Sequence, residues 1–382
     1  MKKMPLIYLD NQATTPIDPD VVKAMNPYLT KYFGNPASIN HIFGWEAEES
    51  VEIAREKISD IINVESNEIV FTSGATESIN LALKGLLDTH LKKGDHIITT
   101  NIEHQVTIDV LHLLNKKGIE ISFIPVNKEG IIEINNFEKY FKKNTKLCTI
   151  IHGNNEIGTI QPIQEIGNLC KKNNVIFHID ASQTFGKKNI DANKMNIDLL
   201  SASGHKIYAP KGIGFLYVKR KIPRIELKPI LHGGGHEYGY RSGTLAVHNI
   251  VGLGTACSIA KKRQKKDNKT IEEMRDELLN GLNQIFPNLI VNGSLINRLE
   301  GNLNITFPKY SAEKIMMKLT EIACSTGSAC TSSIPKPSHV LIALGLKKEQ
   351  INNTIRFGLG RFNNLQEIEY VVTLFQKKLK GK

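Results

Sequence analysis

Ile197-Asp198-Leu199-Leu200-Ser201-Ala202-Ser203-Gly204-His205-Lys206 is an apolar, strand-like run that breaks into small residues and delivers an amine beside a histidine. One strand earlier, Val175-Ile176-Phe177-His178-Ile179-Asp180 ends in a carboxylate after an otherwise apolar run. Two strands that each end in a chemically active side chain suit an open α/β sheet, where ligands sit beyond the carboxyl ends of the strands.

Outward from these stretches the same grammar repeats. Strands are expected at Glu68–Thr72, His96–Thr100, Glu120–Ile124, Leu147–His152 and Ile213–Val218, alternating with amphipathic helices at Ala47–Ile62, Glu77–Leu87, Val106–Lys117 and Ile163–Asn173. Such alternation places helices on both faces of a largely parallel sheet. Beyond about residue 255 the pattern changes to longer helices, Thr270–Ile285 and Ser311–Thr320, with strands at Leu303–Phe307 and Thr354–Phe357. This predicts a smaller α+β domain. At 382 residues the chain exceeds what one hydrophobic core serves, which also argues for two domains.

A 41% hydrophobic and 23% charged composition excludes extended disorder. The net charge of +11 is scattered along the chain, and its one dense cluster, Lys261-Lys262-Arg263-Gln264-Lys265-Lys266, reads as an exposed helix face rather than a nucleic-acid site. Five cysteines with no C-x-x-C pair argue against a disulfide framework and a structural zinc, and predict a reducing compartment. The apolar stretch near the start is stopped by Asp10, too short for a signal peptide core. No run approaches the roughly 20 apolar residues of a membrane helix. The expected location is the cytoplasm.

Several strand ends carry candidate chemistry. Glu68 to Ser78 reads as strand, small-residue turn and helix start, so that free N–H groups and a helix dipole face one spot suited to phosphate. Thr72-Ser73-Gly74 followed by Glu77 reads equally as a plain helix cap. An amine at Lys206, lowered in pKa by a cationic or apolar setting, suits a Schiff base with an aldehyde; the competing reading is a surface lysine. Asp180 suits the protonated nitrogen of a pyridine ring, or else caps a helix starting near Ala181. Together these groups point to pyridoxal 5'-phosphate. Gln183 and Asn155 are then placed for its phenolic oxygen, and His104, at another strand end, for stacking and proton transfer, although a loop histidine is often incidental. Cys330 lies in a stretch too small and polar to pack a core, predicted to be mobile, where a thiol is either a nucleophile and carrier or idle. Cys324, six residues earlier, could share a disulfide or a sulfur hand-off with it. Arg356, a charge in an apolar strand, needs an anion: an amino-acid carboxylate or a structural ion pair.

The chain resembles the cysteine desulfurases of the iron–sulfur cluster (Isc/Nif) type, in the class V pyridoxal phosphate-dependent family. The resemblance runs through Tyr8–Pro16, Phe33–Ser38, Ser73–Glu77, Asn154–Gly158, Ser203–Lys206, Arg241–Thr244 and Arg356, and is most specific at Ser325-Thr326-Gly327-Ser328-Ala329-Cys330-Thr331-Ser332. It implies a fold-type I transferase: a large domain at 17–257 with a mostly parallel seven-stranded sheet, and a small domain made of 1–16 with 258–382 that carries the cysteine loop. It further implies Lys206, His104 and Cys330 as catalytic residues, with Asp180, Asn155 and Gln183 around the ring. Ala75, Thr76, Ser203 and His205 would hold the phosphate with Thr244 from the second subunit of a homodimer, and Arg356 with Asn155 the substrate carboxylate.

The implied reaction converts L-cysteine to L-alanine and a persulfide on Cys330, supplying iron–sulfur cluster assembly and tRNA thiolation. An iron–sulfur scaffold and sulfur-carrier proteins would be the acceptors. No resident metal, no stable nucleic-acid binding and no membrane association are implied, Cys330 meeting at most a transient cluster. A class V aminotransferase or a selenocysteine lyase is the alternative. Set against the resemblance, two departures are expected: the extended tail that many relatives of this type use for scaffold docking is expected to be missing after Leu374–Lys382, and Cys324 stands where an aliphatic or small residue would be expected.

Overall fold

The computed structural model describes residues 6–326 and 337–380. Seven strands form its main sheet: β1 (Ile69–Thr72), β2 (His96–Thr100), β3 (Glu120–Ile124), β4 (Thr145–Ile151), β5 (Ile176–Asp180), β6 (Leu199–Ser203) and β7 (Gly214–Val218). Their spatial order is β1-β7-β6-β5-β4-β2-β3. Neighbours are parallel except around β7, which runs antiparallel to both β1 and β6. The carboxyl ends of the other six strands therefore share one edge. Near-continuous burial along β1, β2, β5, β6 and β7 is the mark of strands covered on both faces.

The covering helices follow from apolar spacing. In α1 (Ile42–Ile62) the buried residues Ala47, Val51, Ala54, Ile58 and Ile62 recur every three to four positions, and Asn63 ends the helix in the left-handed region at φ 56°. Three more helices, α2 (Ala75–Gly85), α3 (Gln105–Lys116) and α4 (Ile163–Lys172), complete the layers. The helix expected at Thr270–Ile285 is instead the second half of α5 (Val247–Ile285), 39 residues long. Nothing between Lys261 and Lys269 breaks a helix: the run has no Gly or Pro, and Arg263 pairs with Asp267 one turn on at 3.1 Å. The basic cluster is thus a mostly exposed helical stretch. α5 crosses α1 at close range, because a Cβ on Gly254 would lie 2.8 Å from the Cα and Cβ of Ala54.

α5 spans two cores. Val247, Ile250, Leu253 and Cys257 pack with the main sheet, whereas Met274, Leu278 and Leu282 join a second core that includes Ile7 and Leu9. That second core lies on a sheet of β8 (Ile290–Val291), β9 (Asn302–Thr306), β10 (Ser325–Thr326) and β11 (Thr354–Gly358), in the order β10-β11-β9-β8. The last helix, α6 (Leu365–Lys380), adds Phe375, whose ring meets Phe286, Phe307 and Phe357. Ile7–Tyr8 pairs in parallel with Ile322–Ala323, which carries the N-terminal segment from the second core toward the edge of the main sheet. A short helix, His339–Ala343, docks through Val340 and Leu341 near Ile102, Ile151 and Ile157, at that same edge.

Candidate active site

A cleft of about 540 Å³ opens at the carboxyl edge of the main sheet. Its lining brings together Ala75, Thr76, His104, Asn155, Asp180, Gln183, Ser203, His205, Lys206 and Arg356. Each reaches it from a strand end or from the turn that follows one, with Arg356 supplied by β11.

Lys206 closes a single helical turn, Gly204–Lys206, directly after β6. Its Nζ donates to the carbonyl oxygens of Gln12 at 2.5 Å and Ala13 at 2.6 Å. These two N-terminal residues line the cleft as well, a contribution the strand grammar did not predict. Asp180, buried at the end of β5, accepts through Oδ1 from the Ser182 N–H at 2.9 Å and the Ser182 hydroxyl at 2.5 Å. Capping the following turn and facing the cleft are therefore compatible duties of this side chain.

His104 caps α3: its Nδ1 accepts from the Val106 N–H at 3.2 Å. The neutral ring consequently carries its proton on Nε2. Burial lowers its pKa and the charge of Lys206 adds to this, while Asp180 opposes. His205 contacts the Thr14 hydroxyl through Nδ1 at 3.0 Å. Burial, then the charges of Lys206, Lys211 and Lys187, push its pKa down to about 4, so its ring is neutral at pH 7.

The turn from β1 into α2 forms the other end of the cleft. Gly74 adopts φ +149°, where a side chain is strained, and α2 has no side-chain cap on its first turn. The first N–H groups of an uncapped helix, Ser203 and His205 form a cradle for an anion. Glu77 satisfies the Ser73 N–H at 2.7 Å and is itself held by Arg241 Nε at 2.8 Å. Burial raises its pKa, but these partners outweigh that and draw it below the usual range.

Arg356 is almost fully buried; Nη1 donates to the Asn155 carbonyl at 2.9 Å and Nη2 pairs with Asp10 Oδ1 at 2.8 Å. The ion pair considered as an alternative for this residue is therefore present. Gln183 donates through Nε2 to the Gln12 carbonyl at 3.0 Å. Gln183 Oε1 and Arg356 Nε are buried with no hydrogen-bond partner among the described residues, which is unusual for a finished interior and marks positions where a ligand completes the bonding. An anion cradle, a buried carboxylate, an amine, a neutral imidazole and unsatisfied polar atoms make a donor set that fits pyridoxal 5'-phosphate.

Thr244 is exposed and does not line the cleft. Cys330 lies outside the described residues, between β10 and the helix His339–Ala343. The described segments on either side of it are tied to the site: the Ser325 hydroxyl donates to Asp10 Oδ2 at 2.9 Å and the Ser338 hydroxyl to Glu156 Oε2 at 2.5 Å. Cys324 is a free thiol whose pKa burial pushes up to about 12, with Asp10 adding and Arg356 opposing. It is therefore a poor nucleophile at pH 7. Asp10, Glu156 and Ser338 were missed as site residues; only Asp10 left a sequence signal, as a charge ending an apolar run.

Comparison with known proteins agrees with this chemistry. The aminotransferase class-V family matches residues 7–371. The mitosomal cysteine desulfurase of Trachipleistophora hominis is 49% identical over 371 residues, covering 96% of this chain and 84% of that protein. The cysteine desulfurase IscS of Haemophilus influenzae is 49% identical over 376 residues, covering 98% and 92%. Among solved structures, a NifS-like protein superposes with a TM-score of 0.91 at 34% identity, covering 99% of this chain and 100% of the other. SspA in complex with cysteine gives 0.82 at 38% identity, covering 94% and 100%.

Proposed function

Because this chain belongs to the class V aminotransferase family, and within it to the pyridoxal phosphate-dependent cysteine desulfurases of the Isc/Nif type, we propose that Cys330 takes the sulfur of L-cysteine as a persulfide and leaves L-alanine. The observation that carries this reading is the convergence of Lys206, Asp180, His104 and Arg356 on one cleft.

Pyridoxal phosphate, when bound, supplies an aldehyde for amine capture and an electron sink for charge at the substrate's Cα. Lys206 would be the amine that holds it, and the α2 N-terminus, with Ala75 and Thr76, would grip its phosphate alongside Ser203 and His205. Asp180 would keep a proton at the pyridine nitrogen, and Asn155 and Gln183 would serve the phenolic oxygen. His104, with its proton on Nε2, moves a proton within the cleft. Arg356 binds the substrate carboxylate, helped by Asn155. The Sγ–S bond to Cys330 forms as the substrate's Cβ–S bond breaks, the electron pair stays with carbon, and protonation there completes alanine.

The same proposal extends to assembly and destination. Exposed Thr244 reaches the phosphate of a second copy in a homodimer. The two domains divide within α5, at 17–257 and 1–16 with 258–382, a division supported by the separate cores that its two halves join. The persulfide passes to an iron–sulfur scaffold and to sulfur carriers, serving cluster assembly and tRNA thiolation. No helix among the described residues is long and apolar enough to cross a membrane. Unpaired cysteines among the described residues support a reducing compartment, which we take to be the cytoplasm.

Alanine release from L-cysteine, with a thiol reductant present, tests the reading. Cys330→Ala should keep the yellow colour of bound cofactor and lose turnover. Undiminished turnover in that variant would move the chain to the aminotransferase or selenocysteine lyase reading.

A further inference from the structure

Arg356 already holds an anion. Its side chain is 2% exposed and pairs with Asp10 at 2.8 Å, since a buried guanidinium left without a counter-charge is costly. The pairing uses one oxygen of Asp10 on Nη2; the other oxygen accepts from the Ser325 hydroxyl at 2.9 Å. Nη1 is taken by the Asn155 carbonyl, and Nε has no partner among the described residues. A planar guanidinium grips a carboxylate best with two parallel N–H groups. The Nε–Nη2 edge thus meets an internal carboxylate by one contact where an amino acid's carboxylate would make two. Glu156, a second carboxyl in electrostatic reach of Arg356, has its pKa raised by burial to about 7 against the opposing pull of Ser338 and Arg356. It carries only part of a charge at neutral pH, so Asp10 is the principal counter-ion.

We infer that Asp10 is an internal stand-in for the substrate's α-carboxylate: it holds Arg356 in the resting enzyme and competes with the incoming carboxylate for the same guanidinium. The inference rests on the reading of Arg356 as the substrate's carboxylate site. Asp10 is then a specificity-determining residue. It sets a threshold that a ligand passes only by offering a better anion, and it returns to Arg356 when product leaves.

The test uses holoenzyme and compares KM with kcat for L-cysteine, with L-alanine and cysteamine as binding probes read from the cofactor's absorbance. Asp10→Asn should lower KM for L-cysteine by roughly tenfold, the equivalent of about one charge-assisted hydrogen bond. It should tighten L-alanine by a similar factor, move kcat less than KM, and leave cysteamine, which has no carboxylate, unaffected. Asp10→Ser removes the same charge and decides the matter if the Asn variant fails to fold. An unchanged or higher KM in a folded neutral variant overturns the competition, as does equal tightening of cysteamine. Arg356→Ala separates the two levels: a raised KM there with no fall in Asp10→Asn sinks only this inference, whereas an unchanged KM there sinks the reading of Arg356 itself.

Discussion

His178 lies in β5 two residues before Asp180, on the same side of the strand, and is fully buried between the Thr149 hydroxyl, 2.7 Å from Nδ1, and the Ser201 hydroxyl, 3.0 Å from Nε2. Burial pushes its pKa down to about 3 from an ordinary 6.5. Between those two pH values the unfolded chain binds a proton that the folded chain refuses, so stability falls as pH falls. At about 1.36 kcal/mol per tenfold change in proton affinity, the full effect is roughly 4–5 kcal/mol, present above pH 6.5 and gone below about 3. Roughly 2 kcal/mol of it is lost between pH 7.5 and 5. His178→Gln introduces an amide that keeps hydrogen-bonding capacity and cannot titrate. Urea unfolding followed by fluorescence at pH 7.5, 6.5, 5.5 and about 5 gives wild type and variant the same contribution from every other histidine. The expected outcome is a variant less stable at pH 7.5 whose deficit shrinks by about 2 kcal/mol toward pH 5. Curves that fall in parallel would show that His178, the buried polar rung beneath Asp180, titrates normally.

Other outcomes follow from the same geometry. Asp180→Ala should release most of the cofactor on dialysis and cut turnover by at least roughly a hundredfold, of the order seen for loss of a proton-holding group; cofactor content by absorbance and alanine release check both. Glu237→Gln strips the charge from a pair in which Glu237 meets Arg55 through two contacts of 2.9 Å with both side chains buried; a loss of about 3–5 kcal/mol is expected in chemical unfolding. Gly254→Val forces α5 away from Ala54 of α1 and should cost about 1–3 kcal/mol, read as a lowered melting temperature with the cofactor spectrum retained.

The sheet was legible because its strands are short apolar, β-branched runs separated by amphipathic helices, and the site was legible because such sheets present the ends of those runs together. The reversed direction of β7 was not, since strand direction depends on which neighbours pair and leaves no trace in composition. α5 was read in pieces, an exposed basic helix face and a separate helix at Thr270–Ile285, because its basic middle has no apolar periodicity to join them, yet lysine and arginine propagate a helix as well as most residues do. Gln12 and Ala13 escaped notice for a different reason: they serve Lys206 through backbone carbonyls, which any residue type provides. Asp10 carried the same signal as Asp180, a carboxylate ending an apolar run. In a strand of only two residues, Ile7–Tyr8, that signal was too short to read as an element.

Sulfur that leaves L-cysteine at the Lys206 cleft is expected to rest on Cys330. Intact-protein mass spectrometry with peptide mapping, after a single turnover with sulfur-labelled L-cysteine and no reductant, tests it most directly. One labelled sulfur on the peptide containing Cys330, absent in Lys206→Ala, is the result expected. Label on Cys324 instead, or alanine formed with no sulfur on either cysteine, would contradict it.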